Sequence, residues 1–214
     1  MLPNDELNIP SEYENKLTDY QRYFEEYFRP MEISDSQKEK RKDAADRVRD
    51  VLIFLLLLMR EMADNFDYDY VLNVFRIEFQ SAVSAYSRMD DYMESYVNRF
   101  TESFLDHTIE HLSKNDASYF MSEDRATVAS ANEANSIIGY EELQTAKDNG
   151  YTHKVWVSQR DNRVRRTHQI ADGQKKPIDD YFIVGGVALM IPCDPDCDVE
   201  EETSGCRCVC HYTK

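Results

Sequence analysis

Val71, Phe75, Phe79, Val83, Tyr86, Met89, Met93, Val97, Phe100 and Phe104 step along the chain by threes and fours, and neither Gly nor Pro falls between them. That step is the helical repeat. The spacing predicts one continuous helix, ~50 Å long at ~1.5 Å rise per residue. One face is aromatic, and the others carry Asp, Glu, Ser and Arg. An apolar stripe of this length needs an antiparallel partner to cover it, and residues 38–62 can supply one. Residues 36–112 are therefore expected to form a helical hairpin or small bundle.

Within the expected partner lies the greasiest run of the chain, Val51-Leu-Ile-Phe-Leu-Leu-Leu-Leu-Met59, closed by Asp50 and Arg60. It is far shorter than the ~20 residues that span a bilayer. No membrane span is expected, and the run reads as a helix buried on most sides. The opening Met1-Leu-Pro-Asn-Asp-Glu6 has neither the basic nor the apolar region of a targeting segment. Residues 1–35 are polar and read as an arm with short helical pieces, such as 13–28. The formal net charge is −16. Such a field repels phosphate and argues against a general nucleic-acid coat, while leaving room for a local basic patch.

Lys114-Asn-Asp116 ends the helical pattern. Ser122 or Asp124 is placed to cap a further helix, which runs through Glu133 and Leu143 to Gly150, a residue suited to a left-handed stop. Gly139 is expected to kink or split it. The character then changes. Lys154-Val-Trp-Val-Ser158 is β-like. Asp161 is placed to cap a short helix through His168, ended by Gly173. Tyr181–Val184 and Val187–Ile191 flank Gly185-Gly186, a hairpin signal. The expected class is α+β: an arm (1–35), a long-helix bundle (36–120) and a small mixed α/β domain (121–214).

All five cysteines lie between positions 193 and 210. An odd, clustered set without a targeting segment suits a metal better than a disulfide frame. Zinc favours four thiolate or imidazole ligands in a tetrahedron. Cys193, Cys197, Cys206, Cys208 and Cys210, with His168 or His211, are the candidates, and a small domain with little core would gain stability from the ion. A late-formed disulfide and free thiols are the alternatives. Asp194, Asp196 and Asp198 alternate like a calcium loop, but Val199 and Gly205 stand where an EF-hand needs Gly and Glu. His107-Thr-Ile-Glu110-His111 matches the H-x-x-E-H pattern of inverted zinc peptidases, although a solvated helix face is the default for it. Arg160, Arg163, Arg165, Arg166, Lys175 and Lys176 form the dense basic patch. It can meet DNA phosphates, an acidic partner, or the local Asp161, Asp172, Asp179 and Asp180. Trp156 reads as core.

Taken in order, Arg125-Ala126, Glu133, Lys154-x-Trp156, Asp161-x-Arg163-x-Arg165-x-x-His168, Asp172-Gly173, Asp180-x-Phe182, Ile191-Pro192, Asp194-Pro195 and Cys206-Arg-Cys208 resemble the C-terminal domain of the phage Mu F-like minor head proteins, the phage head morphogenesis family. The resemblance covers residues 122–210, and the long helical first half is similar to the variable half of these proteins. It implies a non-enzymatic minor capsid component. Such a protein is present in few copies in the virion, at the portal vertex or capsid interior, and in the host cytoplasm during assembly. Its partners would be the portal or major capsid protein, with viral DNA as a further contact. Trp156, Asp161, Arg165, His168, Asp172, Gly173, Phe182, Cys206 and Cys208 would be its structural signature. This chain departs from the pattern at Cys193, where a Gly is usual, and in the extra Cys197 and Cys210. A zinc hydrolase or toxin-like enzyme built on His107, Glu110 and His111 is one alternative reading, and a zinc-stabilised adaptor is another.

Overall fold

The computed structural model describes residues 18–112, 114, 117–197 and 199–214. The arm before Thr18, most of the Lys114-Asn-Asp116 break and Asp198 lie outside them. The described residues form eight α-helices and two small antiparallel sheets, an α+β structure.

Helix α1 (Asp19–Phe28) starts at Thr18, whose hydroxyl and the Gln21 side chain complete a capping box, and α2 (Asp35–Glu61) starts the same way with Ser34 and Gln37. Along α2 the buried face is Ala44, Ala45, Val48, Leu52, Leu55, Leu56 and Met59. Phe54 and Leu57 are 45% and 50% exposed, so the greasy run is buried on one face only.

The expected single long helix is two. Helix α3 (Tyr68–Ser84) and α4 (Asp91–Leu112) fold back on each other, so the predicted stripe lines their shared interface. Phe79 stacks on Phe100 at 4.5 Å between ring centroids, and Phe75 meets Phe104 at 6.0 Å. The turn needs no Gly or Pro because side chains fix it. Asp90 Oδ1 accepts the Met93 amide (3.1 Å), and its Oδ2 accepts the Tyr140 hydroxyl (2.6 Å). Arg88 donates its own amide to Glu141 (2.9 Å) and its guanidinium to Glu141 and Asp148.

After the short α5 (Ala117–Phe120), α6 (Glu123–Asp148) is capped by Ser122 and runs uninterrupted through Gly139. The glycine neither kinks nor splits the helix. A Cβ there would lie 3.5 Å from Ile191 Cδ1, an ordinary van der Waals contact, so the position faces the loop after residue 189 without requiring a glycine. At the other end Gly150 is left-handed (φ 70°), and Tyr151 N reaches Ala146 O at 3.0 Å, as a Schellman stop requires.

Strand β1 (His153–Val157) sits between β2 (Lys175–Pro177) and β5 (Val209–Thr213), antiparallel to both, with Trp156 opposite Cys210. Helix α7 (Arg166–Ala171) starts later than expected. Asp161 does not cap it; its carboxylate accepts the Arg163 amide at 2.9 Å and pairs with Arg207 at 2.9 Å. Strands β3 (Phe182–Val184) and β4 (Val187–Leu189) form the expected hairpin, and both turn glycines are left-handed (φ 60° and 87°). Helix α8 (Glu200–Thr203) precedes β5. Among the described residues, no helix is long and apolar enough to cross a membrane.

Helices α2 and α6 share the broadest interhelical contact, across the expected boundary at residue 120. One apolar cluster runs from Val48 and Phe79 through Ile137 to Trp156, Phe182 and Cys208. Buried charge sets the α2/α6 register. Arg41, fully buried, donates to both Glu142 oxygens (2.9 and 2.7 Å) and to Asn135 Oδ1 (2.9 Å). Burial alone would raise the Glu142 carboxyl, but hydrogen bonding and the charge of Arg41 overcome it and hold the pKa below the ordinary 4.5. A depressed folded pKa contributes stability that is present above the unfolded value and lost as pH falls through the folded one. We expect Glu142→Ala, which strands the guanidinium, to cost ~3–5 kcal/mol in urea unfolding at pH 7. The gap between wild type and Glu142→Gln should close as pH falls below about 4.5.

Candidate metal centre

Trp156 fixes the floor of the site. It is fully buried in β1, with His168 and Phe182 set edge-on to it, each at 5.4 Å between centroids. Gly173, left-handed just past α7, donates its amide to Trp156 O at 2.8 Å and so ties the end of α7 to β1. Asp172 accepts the Ser158 amide at 2.8 Å. These contacts aim His168, on the buried side of α7, at the segment before β5.

His168 Nδ1 lies 3.5 Å from Cys206 Sγ and 3.5 Å from Cys208 Sγ, and the three buried ligand atoms form a group that could hold a metal ion. Nε2 lies 3.0 Å from Glu202 Oε2, which also accepts the Thr167 hydroxyl at 2.8 Å. With the carboxylate on Nε2, Nδ1 is the ring nitrogen that faces both sulfurs: it donates to a thiolate in the imidazolium form and offers its lone pair to a metal when deprotonated. Gly185 makes room for this carboxylate, because a Cβ there would come within 2.0 Å of Glu202 Oε1.

Three of the seven candidate ligands come together; His211 meets Glu32 O at 2.6 Å instead, and chain geometry explains the cysteines left out. Residues 206–208 precede β5, so their backbone can turn both sulfurs onto one nitrogen. Cys210 is inside the strand, where two residues advance by ~6.6 Å, and its buried thiol has Lys154 and Tyr212 as neighbours. Cys197 accepts the Val199 amide at 3.4 Å, outside the group. Cys193 stands next to the group. Its Sγ is 3.0 Å from Cys206 O, and its backbone is left-handed (φ 54°), which an L side chain adopts rarely. None of the five cysteines is in a disulfide.

The thiols share their protons unequally. Hydrogen bonds from Cys193 and Cys208, and the nearby imidazole, pull Cys206 well below the usual thiol range against the opposing effect of burial. Burial and the Cys206 thiolate push Cys193 up, and that thiolate and burial do the same to Cys208. Burial and mutual repulsion thus oppose ionising all three thiols together without a cation. A bound metal would reverse that preference, since it binds thiolates. The buried Trp156 indole N–H has no hydrogen-bond partner, and it lies close enough to Cys208 to favour the thiolate.

The basic patch divides. Arg160 is consumed by Asp172 (2.7 Å) and Glu32 (2.9 Å), and Arg165 donates to Ser204 O. Arg163, Arg166 and Lys175 are exposed, Lys176 is half-buried, and none of the four has an ion pair among the described residues. Asp179 pairs with Lys147 instead. His107 and Glu110 are exposed on α4. Glu110 binds Lys114 at 2.6 Å, and His111 stacks on Phe120 at 3.7 Å. Among the described residues, His107, Glu110 and His111 form no metal group. Asp194 is spent on the Met190 amide (2.6 Å), the Asp196 amide (3.0 Å) and the Tyr92 hydroxyl.

Two supports of the site gave no sequence signal. Glu202 sits in an acidic run that reads as solvated. Asn135 lies mid-helix, yet its Nδ2 donates to Cys206 O and Cys208 O (both 3.2 Å) and to Cys193 Sγ (3.4 Å). Asn135→Leu would leave the Cys208 carbonyl and the Arg41 Nε–H without these partners, at ~1–3 kcal/mol each, while the Cys206 carbonyl keeps the Tyr27 hydroxyl. We expect it to destabilise the chain by at least ~2 kcal/mol in chemical denaturation. Amide exchange should rise first at residues 206–208. Among known proteins, no family model, no curated sequence and no solved structure matches the chain.

Proposed function

We propose that the chain is a minor head protein of a phage particle, of the Mu F-like kind, with a zinc-held C-terminal α+β domain carried on a helical body. The observation that carries this reading is convergence. Trp156, His168, Gly173, Phe182, Cys206 and Cys208 come from widely separated stretches, and all are in the set that bears the resemblance. They enclose one buried centre. The left-handed backbone at Cys193 supports it further, because that is the position where a Gly is usual in the family.

Zinc is the metal this donor set suits. With ~2.3 Å bonds to sulfur and ~2.0–2.1 Å bonds to nitrogen, a tetrahedral site has N···S edges of ~3.5 Å. His168 Nδ1 stands 3.5 Å from each of the two sulfurs. His168, Cys206 and Cys208 would hold the ion, with Cys193 as the nearest further thiol, and Glu202 would orient the imidazole. A closed thiolate-rich site of this kind is structural. The ion would pin α7, α8 and the start of β5 to the sheet.

In this reading the chain assigns no catalytic residue. Its acidic body, net charge −16, avoids coating the genome. The basic residues Arg163, Arg166 and Lys175 give one oriented contact to DNA or an acidic neighbour, and the exposed Phe54, Leu57 and Ile77 of the helical body dock on the portal or capsid wall.

Two measurements test this. Native mass spectrometry with elemental analysis, on protein purified under reducing conditions without chelator, should find one zinc per chain, absent in His168→Ala and Cys208→Ser. A metal-free, fully folded wild type would remove the zinc. Proteomics of purified particles from cells carrying the gene should find the chain at low copy number. Its absence from intact particles would overturn the head-protein reading and favour an adaptor.

A further inference from the structure

A second site adjoins the metal group. A cavity of about 510 Å³ opens between α4, α5, the first half of α6 and the 193–205 segment; Phe100, Phe104, Phe120 and Val128 are in its lining with Arg125, and so is Cys193. Its size, and a cluster of aromatic rings within an otherwise polar lining, suit a small-molecule pocket.

Arg125 sets it apart. The residue is only 8% exposed, and no carboxylate among the described residues pairs with it. Its guanidinium is held between two rings, 3.9 Å from the Phe104 centroid and 4.6 Å from that of Phe120. Thr108 Oγ1 (2.6 Å) and Phe120 O (3.0 Å) take the two bonds from Nη1, and Phe104 O receives Nη2 at 3.4 Å. Nε makes no bond and is not sealed from the cavity. Burial pushes the pKa down to about 10, so the group is still a cation at neutral pH. An uncompensated buried charge costs several kcal/mol, and this chain has 41 acidic residues from which to pair it.

Of the three acids on the cavity wall, Glu200 is exposed and the other two are already committed. Asp194 holds backbone amides, and burial raises the Glu133 carboxyl, which binds Tyr96 and Asn132. Arg99 is neutralised by Asp196 at 2.9 Å. Arg125 also sits in the first turn of α6, where the helix dipole adds positive potential.

We propose that this cavity binds a small amphiphilic anion, with a carboxylate or phosphate head on Arg125 and an aromatic or short alkyl body among the phenyl rings. The proposal does not rest on the head-protein reading, and although Cys193 lies in the lining, it does not require zinc.

The test is calorimetric and NMR titration of the full chain with benzoate, phenyl phosphate and the neutral benzyl alcohol. One anion should bind saturably at a single site at least about tenfold more tightly than the alcohol, and the tighter anion identifies the head group. Arg125→Gln should reduce the anion to the level of the alcohol. Because that variant disturbs a buried residue, Val128→Trp serves beside it: it fills the cavity from the wall and leaves the Arg125 contacts in place. It should abolish anion binding without changing the unfolding midpoint. Benzyl alcohol binding as well as the anions, no saturation below about 10 mM, or anion binding unchanged in Val128→Trp would each overturn the proposal.

Discussion

Asn135 is the joint on which the molecule depends. Its side-chain amide has one acceptor and two donors, and all are used across element boundaries. The oxygen receives Arg41 from α2, while Nδ2 holds the carbonyls of Cys206 and Cys208. Tyr27 of α1 adds its hydroxyl to the same Cys206 carbonyl at 3.0 Å. The loop before β5 has no strand ladder to satisfy its carbonyls, so a buried amide from the helical body does it. The helical half and the cysteine segment are therefore one hydrogen-bonded unit, and a split at residue 120 would cut through it.

Buried cations make the other joints. Arg41 pairs with Glu142 at 2.7 Å, and Arg49 with Glu123 at 2.6 Å and Thr127 at 3.0 Å, so α2 meets α6 at two points along their length. Lys154, fully buried in β1, donates to Met190 O at 2.7 Å and ties the sheet to the loop before Cys193. Desolvation pushes its pKa down to about 8, as expected of an ammonium without a carboxylate. In a chain with net charge −16, cations are the scarce charge. Most of the acids stay at the surface, where hydration satisfies them, and the few inside, such as Glu133, Asp194 and Glu202, have hydrogen-bond donors.

Local rules carried much of the fold. The caps at Ser122 and Gly150, the Gly185-Gly186 hairpin and the β-character around Trp156 each follow from backbone chemistry within a few residues, and the structure has them. The long helix failed for a physical reason. Periodicity records which face is buried and not whether the axis reverses, so two antiparallel helices sharing an aromatic interface look like one. The reversal is set by Asp90 and Arg88 through Tyr140, Glu141 and Asp148, partners about 50 to 60 residues away. The metal group was half legible. Cys206, Cys208 and His168 stand out by residue type, but only the fold separates them from Cys197 and Cys210. Glu202, Asn135 and Arg125 are ordinary helix residues until their burial is known.

The separation of the cysteines also bears on why the site is where it is. Helices α7 and α8 are six and four residues long, and the β3–β4 hairpin has three residues per strand. Helices and hairpins this short do not persist alone in water. Trp156 gives them a common surface, and His168, Cys206 and Cys208 meet over it. Without a cation the group is held only by weak sulfur contacts. A cation on the three ligand atoms would replace those contacts with bonds, and the elements around the sheet would then share one fixed point. That fixed point is also joined to α2 and α6 through Asn135, so order at the cysteines and order in the helical body are coupled.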